Sequence, residues 1–168
     1  MPEQDLENFR QSMRRLAATV CIISCQKDGV CYGITVTSVT SLCMEPQSIL
    51  ACINQSASIR PHIRDVGRYC VNLLTQRQAD ISKRFSGGVP ASERFLQGDW
   101  CLSDDGIPYL ADAQANIFCE IGEAFGYATH DILVGRVLSS RFNMEVAPLL
   151  YQDGKYAVGA PLDLSAAA

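Results

Sequence analysis

Four segments of this chain carry the side chains best suited to chemistry. The first is Gly33–Ser41 (GITVTSVTS), where five of the last seven residues bear hydroxyls. Up to Thr37 the alternation is clean, with Ile34 and Val36 on one face and Thr35 and Thr37 on the other. At Ser38–Val39 the phase breaks, which predicts a strand that ends or bulges and offers backbone N–H groups and hydroxyls to a ligand. The same pattern also fits an edge strand with a Thr/Ser face toward water. The second segment, Asn54–His62 (NQSASIRPH), follows an apolar run and opens a short helix that Ser56 or Ser58 could cap. With Arg60 nearby, such a helix start suits an anion such as phosphate; it equally suits an ordinary capped helix. The third, Lys83–Gly87 (KRFSG), ends a helix with two cations, an aromatic and a turn. It predicts either a second phosphate clamp with Phe85 against a ring, or cations placed for the helix dipole alone. The fourth, Tyr127–Gly135 (YATHDILVG), sets His130, one of two histidines, at the polar start of an apolar strand.

These groups do not make a hydrolase. There is no GxSxG and no pair of carboxylates in one motif. A phosphate loop of the GxxxxGK[ST] kind is absent, and no GxGxxG follows a strand. Eight cysteines form no CxxC pair and no zinc-like spacing, so no metal site is expected and the thiols should be reduced. Cys25 and Cys31 could face one another across a hairpin. The charge balance, 14 basic against 18 acidic residues for a net of −4, disfavours nucleic acid. Eleven of the cations are Arg, the residue suited to bidentate contact with carboxylate or phosphate.

The elements that must position these groups are mostly strands. Residues 5–19 have helical spacing, with Asp5 as a plausible cap. Thr19–Cys25, a QKDG turn and Val30–Val36 predict a β-hairpin. Ser48–Ile53, Tyr69–Leu74, Ala115–Ala124, Asp131–Phe142 and Lys155–Val158 are further strands. Short helices are expected near Ile59–Val66 and Arg77–Phe85, and Ser86–Gly106 as a long irregular loop. Strands joined by turns predict an antiparallel β-barrel with a few peripheral helices. At 168 residues, 48% apolar and 19% charged, one domain spanning 1–168 is expected, with the tail 160–168, and Ser165–Ala168 above all, frayed. No apolar run approaches the ~20 residues of a membrane span, and the N-terminus lacks a signal-peptide pattern, so a cytoplasmic protein is expected.

Taken in order, these motifs resemble the flavin reductase family with the FMN-binding split-barrel fold. The likeness is carried by FRxxMxxLAA (Phe9–Ala18), GITVTSVTSL, EPxSILACINxSAS, CVNLL, KRFSG, ERF with Trp100, THDILVGRV and PLLYQDGKY. It covers nearly the whole chain and is greatest to the branch with Thr-His where many relatives carry Gly-Asp-His. The resemblance implies a mainly β, antiparallel split barrel. It implies that Thr37, Ser38, Val39, Thr40 and Ser41 line the flavin ring and ribityl chain. Asn54, Ser56 and Ser58 would bind the phosphate end, with Arg84, Phe85 and Ser86 closing over it. His130 would face the nicotinamide, with Tyr156 near the same pocket. Arg136 stands where many relatives have Glu, so no acidic partner is expected there. The implied cofactors are FMN or FAD with NADH or NADPH. The implied partner is a flavin-dependent monooxygenase component, and the implied assembly a homodimer. Leu6–Val20 and Pro148–Tyr151 are the candidate contact surfaces. Hydride transfer from nicotinamide to flavin needs stacked rings and donors for growing negative charge, not a nucleophile or strong base, and the hydroxyl-rich segments suit that. Two other readings stay open: a split-barrel protein that keeps its flavin and reduces a bound corrinoid or quinone, or a non-catalytic flavin- or haem-binding module.

Overall fold

The computed structural model describes residues 3–162. A helix, α1 (Glu3–Met13), leads to β1 (Ala18–Thr19) and a hairpin of β2 (Cys21–Lys27) and β3 (Val30–Val36). A second hairpin, β4 (Val39–Met44) and β5 (Gln47–Asn54), is followed by α2 (Arg60–Val66), β6 (Arg68–Leu73) and α3 (Ala79–Phe85). A 3-10 turn (Ala91–Leu96) precedes the small hairpin β7 (Trp100–Leu102) and β8 (Pro108–Leu110). Two long strands, β9 (Ala115–Tyr127) and β10 (His130–Phe142), then lead to β11 (Leu149–Gln152) and β12 (Lys155–Val158).

Seven strands form one antiparallel sheet in the order β3-β2-β6-β9-β10-β5-β4. Its first and last strands are joined by only two residues, Thr37 and Ser38. So short a link forces the two edges together, and the sheet must curl into a split barrel. Just before β4, one hydrogen-bond pair extends the β4–β5 ladder: Cys52 N–H donates to the Ser38 carbonyl at 3.0 Å and Ser38 Oγ to the Cys52 carbonyl at 3.0 Å. Ile23, Ile53, Tyr69, Val71 and Leu133 fill the interior, with Ile59 and Ile63 of α2 as a plug. A second cluster, built on Val20, Leu74, Phe85, Leu110 and Leu149, seats α3 and the β1-β11-β12 sheet.

The helix expected over 5–19 is shorter and earlier, ending at Met13, because Ala18 is drawn into pairing with Tyr151 and Val20 N–H donates to the Leu149 carbonyl. The cap expected from Asp5 falls away with that boundary. The break at Ser38–Val39 is real, but a full strand, β4, follows it. The loop expected over Ser86–Gly106 is largely structured: Phe95 and Trp100 pack on Phe85 with ring centroids 5.0 and 5.2 Å away, which anchors the 3-10 turn and β7. Cys25 is opposite Tyr32 and Cys31 opposite Gln26. Facing residues share a side of the sheet and neighbours alternate, so the two thiols point to opposite sides. All eight cysteines are free. The frayed tail expected at Ser165–Ala168 lies outside the described residues. Among those described, no helix is long and apolar enough to cross a membrane.

Candidate active site

A cleft of about 750 Å³ opens along the seam between β3 and β5 and runs under α3 and the β11–β12 turn. Small-molecule sites span roughly 300–1,000 Å³. One wall is the end of β3, with Thr35, Thr37 and Ser38; the floor holds Val20, Ile34 and Cys52. Asn54 and His130 stand together at one end, since the register pairs them directly across β5 and β10. Ser82, Lys83 and Ser86 of α3 and its cap reach the cleft from the other side, with Lys155 and Tyr156 of β12.

The α3 side is held by Ser82, which is fully buried. Its carbonyl accepts Thr35 Oγ1 at 2.7 Å and Ser86 Oγ at 2.8 Å, and its hydroxyl accepts Tyr156 Oη at 2.9 Å. One residue thus ties β3, α3 and β12 into a fixed rim. At the other end, Thr129 Oγ1 lies 2.9 Å from His130 Nδ1, which leaves Nε2 for a ligand. On the far side of that hairpin, Asp131 is buried to 1% exposure. It accepts Arg60 Nε at 2.8 Å, Arg64 Nη1 at 3.0 Å and Gln55 Nε2 at 3.1 Å. The Arg60 hydrogen bond chiefly holds its carboxyl below the ordinary carboxylate range, against burial, which raises it.

Among the described residues the cleft lining contains two lysines and a histidine but no carboxylate, although the chain carries a net charge of −4. A cationic, carboxylate-free cleft favours phosphate-bearing ligands and any reaction that builds negative charge on its guest.

The sequence expectations divide on this geometry. Thr37, Ser38, Asn54, Ser86, His130 and Tyr156 come together in the cleft. Val39, Thr40 and Ser41 lie on β4 beyond the seam and do not line it. Ser56 does not cap α2: its N–H and hydroxyl are taken by Asn54 Oδ1 at 2.9 and 2.8 Å. Ser58 is exposed, and α2 starts at Arg60 behind the N-cap Ile59 with no side-chain cap. Arg60 is spent on Asp131 rather than left for an anion. Arg84 turns away from the cleft and donates to the Glu93 carbonyl at 2.6 Å; Lys83 is the cation that faces it. Phe85 is 1% exposed within an aromatic cluster, so no face is left for a ligand ring. Arg136 pairs across the sheet with Glu120, its Nε 2.8 Å from the carboxylate.

Cleft residues the sequence did not single out for the site include Cys52, Ser82, Tyr151 and Lys155. The Asp153-Gly154 turn before Lys155 was a usable signal for the last.

The flavin reductase like domain matches residues 13–160. The chain belongs to the flavin reductase family. It is 40% identical to the reductase component of the FADH2-dependent resorcinol hydroxylase of a Rhizobium species, over 98% of this chain and 93% of that one. It is 39% identical to the FMN reductase (NADH) RutF of Stutzerimonas stutzeri, over 79% and 76%. Among solved structures it resembles nitrilotriacetate monooxygenase component B from Mycobacterium thermoresistibile with a TM-score of 0.88 and 28% identity, covering 96% of this chain and 90% of that one. The family's split barrel is the fold seen here, with its edges meeting at Thr37–Ser38.

Proposed function

We propose that this flavin reductase takes hydride from NADH, or NADPH, to FMN or FAD in the Thr37–His130 cleft and hands the reduced flavin to a separate monooxygenase. The observation that carries the reading is the lining itself, in which His130, hydroxyls and two lysines share one cavity without a carboxylate. The residues present fit a flavin: Thr37 and Ser38 supply polar groups along one wall, Ile34 and Cys52 an apolar floor, and Lys83 and Ser86 a phosphate end. When bound, the pair of cofactors supplies the chemistry as hydride passes from nicotinamide C4 to flavin N5.

The protein's part is to orient and to stabilise charge. His130 positions the nicotinamide from the Asn54 end. Lys155 raises the potential where the guest gains negative charge. Tyr156 is fixed on Ser82 and borders the space left for the second ring. None of these groups must exchange a proton with the guest during hydride transfer. The relatives named above as reductase components of hydroxylase and monooxygenase systems support an oxygenase as the recipient. A cytoplasmic place of work fits the free cysteines and the need for NADH.

We propose a homodimer, joined in part through α1. That helix buries none of its residues, leaving Phe9 at 58% and Met13 at 48% exposure. Steady-state NADH and NADPH oxidation with FMN, FAD and riboflavin tests the activity. Turnover should require added flavin and be fastest with NADH. Nucleotide oxidation that ignores flavin, or none with any flavin, overturns the assignment.

A further inference from the structure

The hairpin that carries His130 is tied to the loop that carries Asn54 by a residue outside the cleft lining. Gln55 N–H donates to the Thr129 carbonyl at 2.9 Å. Its side-chain Nε2 lies 3.3 Å from the His130 carbonyl and 3.1 Å from Asp131 Oδ1. Arg60 and Arg64 of α2 hold the other oxygen of Asp131. His130 and Asp131 are neighbours on β10, so their side chains point to opposite sides of the sheet. The imidazole faces the cleft while the carboxylate anchors the same strand start from behind.

We infer that Gln55 is a positioning residue for the nicotinamide: with Asp131 and Arg60 it sets where His130 stands. The inference rests on the reading of His130 as the group that meets the nicotinamide.

The chain of contacts is short. Ala128, in the turn before Thr129, is a non-glycine residue at φ 48°, a conformation a free turn would readily leave. Thr129 then meets the His130 ring through its hydroxyl and meets Gln55 through its carbonyl. Without the carboxamide of Gln55, the His130 carbonyl loses its side-chain donor and Asp131 loses one of three. The turn then has fewer constraints exactly where the imidazole must be held. A displacement of an ångström or so in a positioning group weakens ligand engagement strongly. The Asn54 side of the cleft is kept by a separate set of bonds, Asn54 Oδ1 with Ser56, so flavin contacts there need not follow.

The test uses Gln55→Met, which keeps length but has no donor. Gln55 is exposed, so the variant should fold, as its circular dichroism will check. At saturating flavin, its KM for NADH should rise about five-fold, the scale of one lost hydrogen bond, with kcat and flavin Kd unchanged. In a His130→Ala background the same substitution should add nothing, because the group it positions is gone. The ring protons of the two histidines give an independent readout by NMR. Those of His130 should shift or broaden in Gln55→Met, while those of His62, stacked on Tyr32 at 3.6 Å, stay in place. An unchanged KM, or an equal rise with and without His130, overturns the inference and leaves the His130 reading standing. A His130→Ala enzyme with unaltered KM for NADH overturns both.

Discussion

In the proposed reaction His130 and Lys83 divide the work of the cleft by chemistry. The imidazole can give one hydrogen bond from Nε2, its other nitrogen being near the Thr129 hydroxyl. Losing one such bond costs about 1 kcal/mol. His130→Ala should therefore raise KM for NADH several-fold and leave kcat at saturation and flavin affinity nearly unchanged. A kcat that collapses while KM stays put would mean an acid–base role instead. Lys83 bears on the other ligand. Its ammonium is shared with Asp80 at 2.8 Å on the exposed face of α3, so it attracts a phosphate through solvent-screened charge. Lys83→Ala should weaken FMN a few-fold, and riboflavin hardly at all. Equal losses for both flavins, by fluorescence titration, would remove phosphate from that end of the cleft. Arg84→Ala should leave this ratio alone, since its guanidinium is on the Glu93 carbonyl.

At the scale of elements, β10 carries the most weight: it pairs with both β5 and β9, and its start holds His130 and Asp131. Asp131 joins it to α2, and this junction is sensitive to acid. Its carboxyl is held below the usual range by Arg60 in the fold. The stabilisation is therefore complete above the ordinary carboxylate pKa of about 4 and is lost as pH falls through the depressed folded value. Urea midpoints between pH 6 and pH 3 should show this acid loss in the native chain and a flatter limb in Asp131→Asn, from a lower starting stability. Further along β10, Gly135 sits where the Tyr69 phenol crosses the barrel, and a Cβ there would collide with its oxygen. Gly135→Ala should cost about 1–3 kcal/mol by overpacking, read as a lower urea midpoint. These elements differ in how far the sequence revealed them. Strands with clean alternation or dense β-branching, such as Val30–Val36 and Ser48–Ile53, were legible to within a residue or two. So was the break at Ser38 on which the cleft depends. Phe85 and Arg84 were not: a KRFSG helix end looks the same whether its aromatic faces a ligand or a Phe95–Trp100 cluster ten or more residues away. Ser56 misled for a related reason, because the Asn54 carboxamide locally engages the hydroxyl that a helix cap would use. Lys155 and Tyr156 enter the cleft only through the β1–β11 pairing, a contact between chain ends that no local pattern encodes.

For the whole molecule, surface area is the deciding quantity. A compact monomer of 18.4 kDa should expose about 8,200 Å². This chain exposes 10176 Å², about a quarter more. Exposed apolar side chains contribute to it. Along α1, Leu6, Phe9 and Met13 recur at helical spacing, and none is covered. An 11-residue helix is marginal on its own in water, so α1 needs tertiary or quaternary packing to persist. Within the chain it is fastened only just past its end, where Asp153 N–H donates to the Arg14 carbonyl at 3.0 Å and Arg14 pairs loosely with Asp153 at 3.7 Å. Tyr151 of the neighbouring sheet is exposed near that junction. In the proposed homodimer a second copy would supply the missing cover, and a two-fold interface of ordinary size buries roughly 800 Å² from each partner, within the surplus. Sedimentation at micromolar concentration should give twice the chain mass. Phe9→Asp with Met13→Asp puts two charges into the proposed contact and should shift the population toward monomer, with α1 helicity falling in circular dichroism as its packing partner is lost. The barrel's own urea transition should change little, because neither side chain touches the cores that hold it. A native chain that sediments as a monomer, or a double variant that stays dimeric with full helicity, would show that α1 is covered by something other than its twin.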